Sequence, residues 1–598
     1  MMATQDMKAA NDSSAGKVEG LDVMHVDGMR IAATHTNVTA RVSGMAPQQG
    51  KEVLELTIDA KHAPKIGVDK IVVTAPDTFV PNEVLDVVTN SSLGKTRDGI
   101  GVNKARLPTY SQGNVTLAAN SIYEFIKNVS GSKEDSAKFF TEPINAIYYA
   151  TESNDDFSRP EAVIALAMAT SRLLNENEDK YRPYVEMLRH IELKQVTFAC
   201  AGAGLSMSNA LESILAAYTF SRNESALIIT TDTAVYDSVR APNAEATQGA
   251  AATLYWITKN PRLLNIDYSI GYGKFTIQFP DFTKFGNHNP KVYGKFSEIG
   301  YVYAVAEALE DLEARYASYS GSDLIAKIDA FVGHVPFPKQ AIYFAGFLFE
   351  HYLKTYNREL FEELQSRPDI GQSPIDGKKF TDIMREKLRA FNGKDKDIIA
   401  YIANDKEINA YWSWLKRLRD VADSSDPNRK RSVPRPEFEA FIKGLNIRNA
   451  LVLPSEVGNA YASSTHVALA SELLHGNGTN FILAYYGSGL IAKAFYAELA
   501  ATSRNIIEDN VIVTFGAQDI ALDAAQYAEV HSNLLKGDAR RMMETEDSDL
   551  IEKDVRLLRL EDPGRLPKGF YLRKRNDDGT WEGAYSDGSN MAEIRSRY

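Results

Sequence analysis

Cys200 is the only cysteine in a chain of 598 residues. It stands where Lys194-Gln195-Val196-Thr197-Phe198-Ala199 reads as a strand and Gly204-Leu205-Ser206 opens an alanine-rich helical pattern. A thiol at such a junction meets the unpaired N–H groups of a helix N-terminus, whose partial positive charge favours thiolate over thiol. A lone cysteine is equally able to serve as a small, inert core residue, so the neighbouring segments decide between the two readings.

Two other segments bring acid/base groups to equivalent places. The strand Ala146–Ala150 runs into Thr151-Glu152-Ser153. A carboxyl at the end of a buried strand is either a loop anchor or, where desolvation raises its proton affinity, a general acid/base. The short strand Ile328–Gly333 ends at His334, ahead of Val335-Pro336-Phe337-Pro338-Lys339, where the prolines stop regular structure. Ligands of α/β sheets gather at the carboxyl ends of strands, so a thiol, a carboxyl and an imidazole at strand ends imply one shared site.

The elements that must position these groups begin at Ile66–Thr74 and continue as strands at Ala146–Ala150, Lys194–Ala199 and Ala226–Thr231. Helices are expected between them at Gln112–Asn128, Pro160–Asn175 and Ser206–Arg222. Alternation of this kind is the α/β signature and implies parallel strands buried on both faces. Gly249–Ile257 and Leu263–Ile270 read as consecutive strands, and Ala341–Tyr356 as an aromatic-rich helix. Phe481–Tyr486 and Ile491–Ala497 flank Gly487-Ser488-Gly489, a hairpin turn rather than a phosphate cradle, because a strand follows it.

Residues 1–62 form an extension with a polar, disordered tip and a small β-rich part. Residues 357–447 turn charged and helical, with helices at Glu359–Leu364, Phe380–Phe391 and Ile408–Val421 and a solvated loop, Asp423–Arg435, carrying Arg429-Lys430-Arg431. The expected division is therefore an extension (1–62), a half bearing the nucleophile (63–245), a second half (246–540) that includes the helical insertion (357–447), and a C-terminal segment (541–598).

Composition excludes several functions. With 44% hydrophobic and 24% charged residues the chain is globular, and its length exceeds what one core supports. A net charge of −12 argues against a broad nucleic-acid footprint. No apolar run of membrane-spanning length occurs, and Met1–Gly20 has no signal-like apolar core, so a cytoplasmic protein is expected. One cysteine, with no Cys-x-x-Cys and no His-x-x-x-His, argues against a structural metal site. Gly-x-Ser-x-Gly, Gly-x-Gly-x-x-Gly and Walker sequences are absent as well.

Seven segments, in order, resemble motifs of the 3-hydroxy-3-methylglutaryl-coenzyme A synthase family of the thiolase superfamily. They are Ala150-Thr151-Glu152-Ser153, Ala199-Cys200, Thr231-Asp232-Thr233-Ala234-Val235-Tyr236, Thr247-Gln248-Gly249-Ala250, His334-Val335-Pro336-Phe337, Gly458-Asn459-Ala460-Tyr461 and Tyr486-Gly487-Ser488-Gly489. The resemblance covers residues 66–356 and 448–500, with a weaker echo at Phe570–Ser586.

It implies a duplicated, thiolase-like αβαβα layered fold. It also implies Cys200 as the nucleophile that takes acetyl from acetyl-CoA and Glu152 as the general acid/base. His334 would bind acetoacetyl-CoA and polarise its ketone, with Asn459 and Ser488 steadying that substrate and the oxyanion. Lys339 would meet a coenzyme A phosphate or the pantetheine arm, and Tyr236, Gln248 and Gly249 would support the binding site. The resemblance further implies coenzyme A thioesters as substrates with no metal or other cofactor, a homodimer, and an upstream thiolase as a possible partner.

Two departures stand out. Ala201 follows the cysteine where the family has tyrosine, so that Cys200-Ala201-Gly202 is closer to a ketoacyl synthase of the third type, and Asp281–His288 follows the family pattern only loosely. The alternatives are a ketoacyl-synthase-III-like condensing enzyme, a polyketide β-branching synthase using a carrier-protein-bound β-ketoacyl thioester, and a thiolase-like scaffold without activity.

Overall fold

A computed structural model describes residues 64–594 apart from 155, 157, 234–235, 238–243, 284–289, 376, 392–396, 423–431, 502, 536–548 and 577–579, together with four strands upstream. The polar tip and Arg429-Lys430-Arg431 lie outside the described residues. The upstream strands, Asp22–Val26, Met29–Ala33, Asn37–Val42 and Glu55–Asp59, pair in sequence order into an antiparallel sheet within a unit of Met1–Pro64.

The second unit, Lys65–Tyr598, holds every residue singled out as chemical. Its first part contains β1 (Ile66–Thr74), α1 (Asn114–Gly131), β2 (Ile144–Ala150), α2 (Ala162–Glu176), β3 (Glu192–Val196), α3 (Gly202–Thr219), β4 (Ser225–Asp232) and β5 (Ala251–Lys259). After it come β6 (Leu264–Ile266), β7 (Gly273–Thr276), α4 (Gly294–Ser320), β8 (Ala330–Gly333) and α5 (Pro338–Tyr356). The insertion supplies helices at Arg358–Ser366, Phe380–Ala390, Ile398–Ala403, Lys406–Arg419 and Pro436–Gly444. The chain then forms α6 (Ser464–His475), β9 (Asn480–Gly487), β10 (Ile491–Leu499), β11 (Val511–Val513) and α7 (Ala524–Leu535).

The strands join in one 11-stranded sheet of order β8-β9-β10-β6-β1-β5-β4-β2-β3, with β7 added to β10 and β11 to β1. Parallel pairing holds for β2 with β3 and with β4. Ile66–Thr74 pairs antiparallel with β5 and β6 and parallel with β11, so the sheet is mixed. Strand β5, although it follows residue 245, is hydrogen-bonded between β4 and β1.

The layering follows from which side chains each strand buries. Val72, Ile147, Tyr149, Leu227, Ile229, Leu254 and Trp256 point to one face, against α1 and α2. The alternate residues Ile71, Tyr148, Ile228 and Tyr255 point to the other. There α3 packs against β2, β4 and β9, and α6 packs against β1, β8 and β9, so both helices lie between the halves of the sheet. Helix α4 covers β7, β9 and β10 from outside. The result is the αβαβα sequence of layers. Gly204 permits the central contact, because a Cβ there would stand 2.6 Å from the Tyr485 side chain of β9.

Three expected strands are shorter in the structure, and one of them, Ile328–Gly333, differs only in starting at Ala330. The one preceding Cys200 stops at Val196, because Ala199 adopts a left-handed φ of 40° that no strand continues. The segment after Leu263 leaves the sheet at Ile266, where Asp267 accepts the Ser269 N–H and starts a 3-10 turn.

Candidate active site

The nucleophile candidate sits on a tight turn. Ala199 is left-handed, the Ala201 N–H donates to Phe198 O at 2.9 Å, and α3 begins at Gly202. Such a conformation on a non-glycine residue is costly and persists where the surrounding fold imposes it. Gly202 lets the helix start press on the end of β2, since a Cβ there would lie 2.9 Å from Ala150 Cβ. The approach brings Cys200 to Glu152, and Cys200 Sγ donates to Glu152 Oε2 at 3.2 Å.

Glu152 is set in place by Asp232, the last residue of β4, which is fully buried. Asp232 Oδ1 accepts from Glu152 N at 2.8 Å, Thr151 Oγ1 at 2.9 Å and Ser153 Oγ at 2.6 Å. Its Oδ2 accepts from Ala462 N at 2.9 Å, which ties the acid/base loop to the second half of the fold. A buried carboxylate is tolerable only when its lone pairs are filled in this way.

His334 extends the β8 ladder. Its N–H donates to Ala484 O at 2.9 Å and its carbonyl accepts from Tyr301 Oη at 2.8 Å. The ring lies near those of Tyr301 and Tyr486, and among the described residues Nδ1 has no hydrogen-bond partner. Burial lowers its pKa to about 3, so near neutral pH the imidazole is uncharged and acts through hydrogen bonds.

A cavity of about 830 Å³ collects these groups. Cys200, His334, Tyr236, Asn459 and Ser488 line it, with Phe282, Val292 and Phe337 as apolar wall and Lys95 and Lys295 as cations. Glu152 adjoins it through Cys200. Burial and the adjacent Glu152 and Cys200 hold the Tyr236 phenol well above its usual pKa, against hydrogen bonds from Tyr461 and Asn459. It therefore stays protonated.

Gln248 and Gly249 stand behind this wall. Gln248 forms a parallel bridge with Asn459, and a Cβ on Gly249 would meet Val457 O at 2.4 Å, so only glycine allows the halves to approach so closely. Lys339 is the second residue of α5, half-buried, and is not among the residues lining the cavity.

Sequence reasoning missed the two lysines that do line it, and also Asp281. The buried Asp281 carboxylate accepts from Tyr486 Oη and Gly489 N at 2.9 Å each, from Ser297 Oγ at 3.1 Å and from Ser488, while burial raises its pKa. It fixes the turn that presents Ser488. Asp281 sits in irregular chain with no periodicity to mark it, and residues 284–289 of that stretch lie outside the described residues.

No family model matches the chain. A hydroxymethylglutaryl-CoA synthase of Haloferax volcanii is 26% identical over 453 residues, 75% of this chain and 85% of that protein. Over three quarters of its length the chain is similar to hydroxymethylglutaryl-CoA synthases. Solved structures place the family fold over nearly all of it. MvaS in complex with 3-hydroxy-3-methylglutaryl coenzyme A superposes with a TM-score of 0.56 at 18% identity, over 88% of this chain and 100% of that one. The HMG synthase of the curacin biosynthetic pathway in complex with acetyl donor-ACP gives 0.56 at 14% identity, over 88% and 100%.

The structure accounts for Ala201. It is buried, and its Cβ would stand 2.6 Å from a Cβ on Gly487, so a small residue meets a glycine where α3 passes β9.

Proposed function

We propose that the chain condenses acetyl-CoA with acetoacetyl-CoA and water to give 3-hydroxy-3-methylglutaryl-CoA and free coenzyme A. The observation that carries the reading is the Cys200–Glu152 hydrogen bond beside a cavity that also bears His334, Asn459 and Ser488. Similarity to hydroxymethylglutaryl-CoA synthases supports it.

The steps use groups already in place. Cys200 attacks the acetyl carbonyl as Glu152 takes the thiol proton, which passes to the departing coenzyme A thiolate. Glu152, ionised again, removes an α-proton from acetyl-Cys200, and the resulting carbanion equivalent adds to the ketone carbon of acetoacetyl-CoA. Neutral His334 donates a hydrogen bond to that ketone oxygen as it gains charge, with Asn459 and Ser488 beside it, and the proton held by Glu152 passes to the resulting alkoxide. Water then cleaves the Cys200 thioester and frees the product. No metal or organic cofactor is needed, because thiol, carboxylate and imidazole supply every proton and nucleophile.

The family frame leaves two routes for the second substrate. We take free coenzyme A thioesters, as in mevalonate synthesis, because Lys95 and Lys295 on the cavity suit phosphates. Similarity to a synthase solved with a donor carrier protein keeps polyketide β-branching as the second reading. The proposal also takes the working form to be a cytoplasmic homodimer supplied by a thiolase.

The test is intact-mass measurement after incubation with acetyl-CoA, with Cys200→Ala as control. One acetyl group on the wild type and none on the control is expected, and absence of an adduct on the wild type would overturn the covalent mechanism. Acetoacetyl-CoA should then discharge the adduct into product. Discharge only by a carrier-protein thioester would decide for the second reading.

A further inference from the structure

The wall behind Cys200 is held from a distant helix. His531 on α7 is buried, and its Nε2–H donates to the main-chain carbonyl of Tyr236 at 2.9 Å. The Tyr236 N–H donates to Gln248 Oε1 at 3.1 Å. Gln248 Nε2 donates to Tyr527 Oη at 2.7 Å, and Tyr527 Oη donates to Glu245 Oε1 at 2.6 Å. Glu245 lies 3.7 Å from His531 Nδ1, and the His531 ring stacks on Tyr527 with centroids 5.0 Å apart. The chain of donors thus leaves Tyr236 at its nitrogen and ends on a carboxylate, while His531 holds Tyr236 separately at its oxygen.

The Tyr236 side chain reaches the reacting groups. It packs in one cluster with Tyr461 and Cys200, and Glu152 and Cys200 are the charges it feels most. Glu245 lines the substrate cavity and also a second cavity of about 430 Å³, bounded by Val88, Tyr527, His531 and Leu535. The groups facing His531 are Glu245 and Asp237 from the loop and Tyr527 from its own helix. Nothing in the condensation requires these residues to touch substrate.

We infer that His531 and Tyr527 are positioning residues that set Tyr236 against Cys200, so that α7 tunes the nucleophile through the main chain of Tyr236. The inference rests on the proposed role of Cys200. A hydrogen bond lost from such a network moves the wall by a fraction of an ångström, enough to slow acyl transfer severalfold without unfolding the protein.

Its test uses the full chain and two readouts, the rate of Cys200 acetylation by acetyl-CoA and the pH profile of Cys200 alkylation by iodoacetamide. His531→Leu removes the donor, and is expected to slow acetylation about three- to tenfold, to leave the KM for acetyl-CoA unchanged and to displace the alkylation midpoint. His531→Gln, which keeps an N–H donor, should restore most of both. Tyr527→Phe keeps the ring stack but cuts the link from Gln248 to Glu245, and should slow acetylation to a similar degree. It serves as the test should His531→Leu not fold.

Wild-type rates and profile in folded His531→Leu or Tyr527→Phe would overturn the inference, as would a His531→Gln variant no better than His531→Leu. If the wild type takes no acetyl group while the alkylation profile still shifts in the variants, the proposed function fails and the positioning role stands.

Discussion

Cys200 Sγ donates to Glu152 Oε2 at 3.2 Å although 48 positions separate the two in the chain. The contact is a consequence of register. Strands β2 and β3 are parallel neighbours with Ala150 opposite Val196, so both chains leave the sheet at the same edge. Glu152 follows two residues after Ala150, and the left-handed turn at Ala199 redirects the other chain so that Cys200 faces it. Parallel pairing is what turns two strand ends into one site.

Glu152→Gln keeps the shape of that contact and removes the base. Acetyl transfer to Cys200 should slow, because the thiol must then lose its proton to water, yet still go to completion, whereas condensation with acetoacetyl-CoA should fall by about 10²–10⁴-fold, the usual worth of a general base. Single-turnover measurement on pre-acetylated enzyme separates the steps, and equal condensation rates in variant and wild type would remove Glu152 from that role.

The same pair explains how much was legible beforehand. The strand ends at Glu152 and His334 could be placed because each follows a short apolar run, whereas Cys200 follows Glu192–Val196, a half-buried edge strand of mixed composition. Asp232 and Asp281 organise the Glu152 loop and the Ser488 turn through hydrogen bonds to residues far along the chain, and sequence spacing carries no trace of such partners. Mixed pairing was hidden for a related reason. Strand β5 returns antiparallel between β4 and β1 after a long loop, and neither hydropathy nor length distinguishes that path from a parallel one.

His334 and His466 are buried without charge, each with its pKa lowered to about 3 by burial. The unfolded chain titrates near 6.5, so above that pH both states are neutral and stability does not depend on these groups. Below it the unfolded state binds protons that the folded state refuses. Stability then falls by about 1.4 kcal/mol per pH unit for each histidine, down to the folded pKa. His466, with Nδ1 3.0 Å from Thr253 Oγ1, lies away from the cavity lining. In urea titrations between pH 6.5 and 4.5, His466→Gln should therefore show a shallower loss of stability than the wild type. A slope identical to wild type would contradict the assignment of neutral buried imidazoles.

Asp232 joins the acid/base loop to the second half, so its loss should be felt twice. Asp232→Ala leaves Thr151, Glu152, Ser153 and Ala462 donors without their acceptor. We expect about 3–5 kcal/mol of lost stability by denaturant unfolding, as for other broken buried charge networks. Condensation should fall with it. Asp232→Asn is expected to be milder, since one carbonyl oxygen still serves the Glu152 loop while its amide N–H₂ faces the Ala462 N–H.

The turn that carries the nucleophile is confined from the opposite strand by Gly487. A Cβ there would lie 2.6 Å from Ala201 Cβ, 2.7 Å from Ala201 N and 2.8 Å from Phe198 O. Two of those three atoms are backbone and cannot rotate away, so Gly487→Ala must push the Phe198–Ala201 turn outward and carry Cys200 from Glu152. The expected result is a loss of about 1–3 kcal/mol in stability, typical of overpacking, together with slower acetylation of Cys200. Adding Ala201→Gly to that variant relieves only the side-chain contact and should recover part of the rate. Full recovery would mean that Ala201 alone senses Gly487, and no loss of rate in the single variant would mean that the turn yields without moving the thiol.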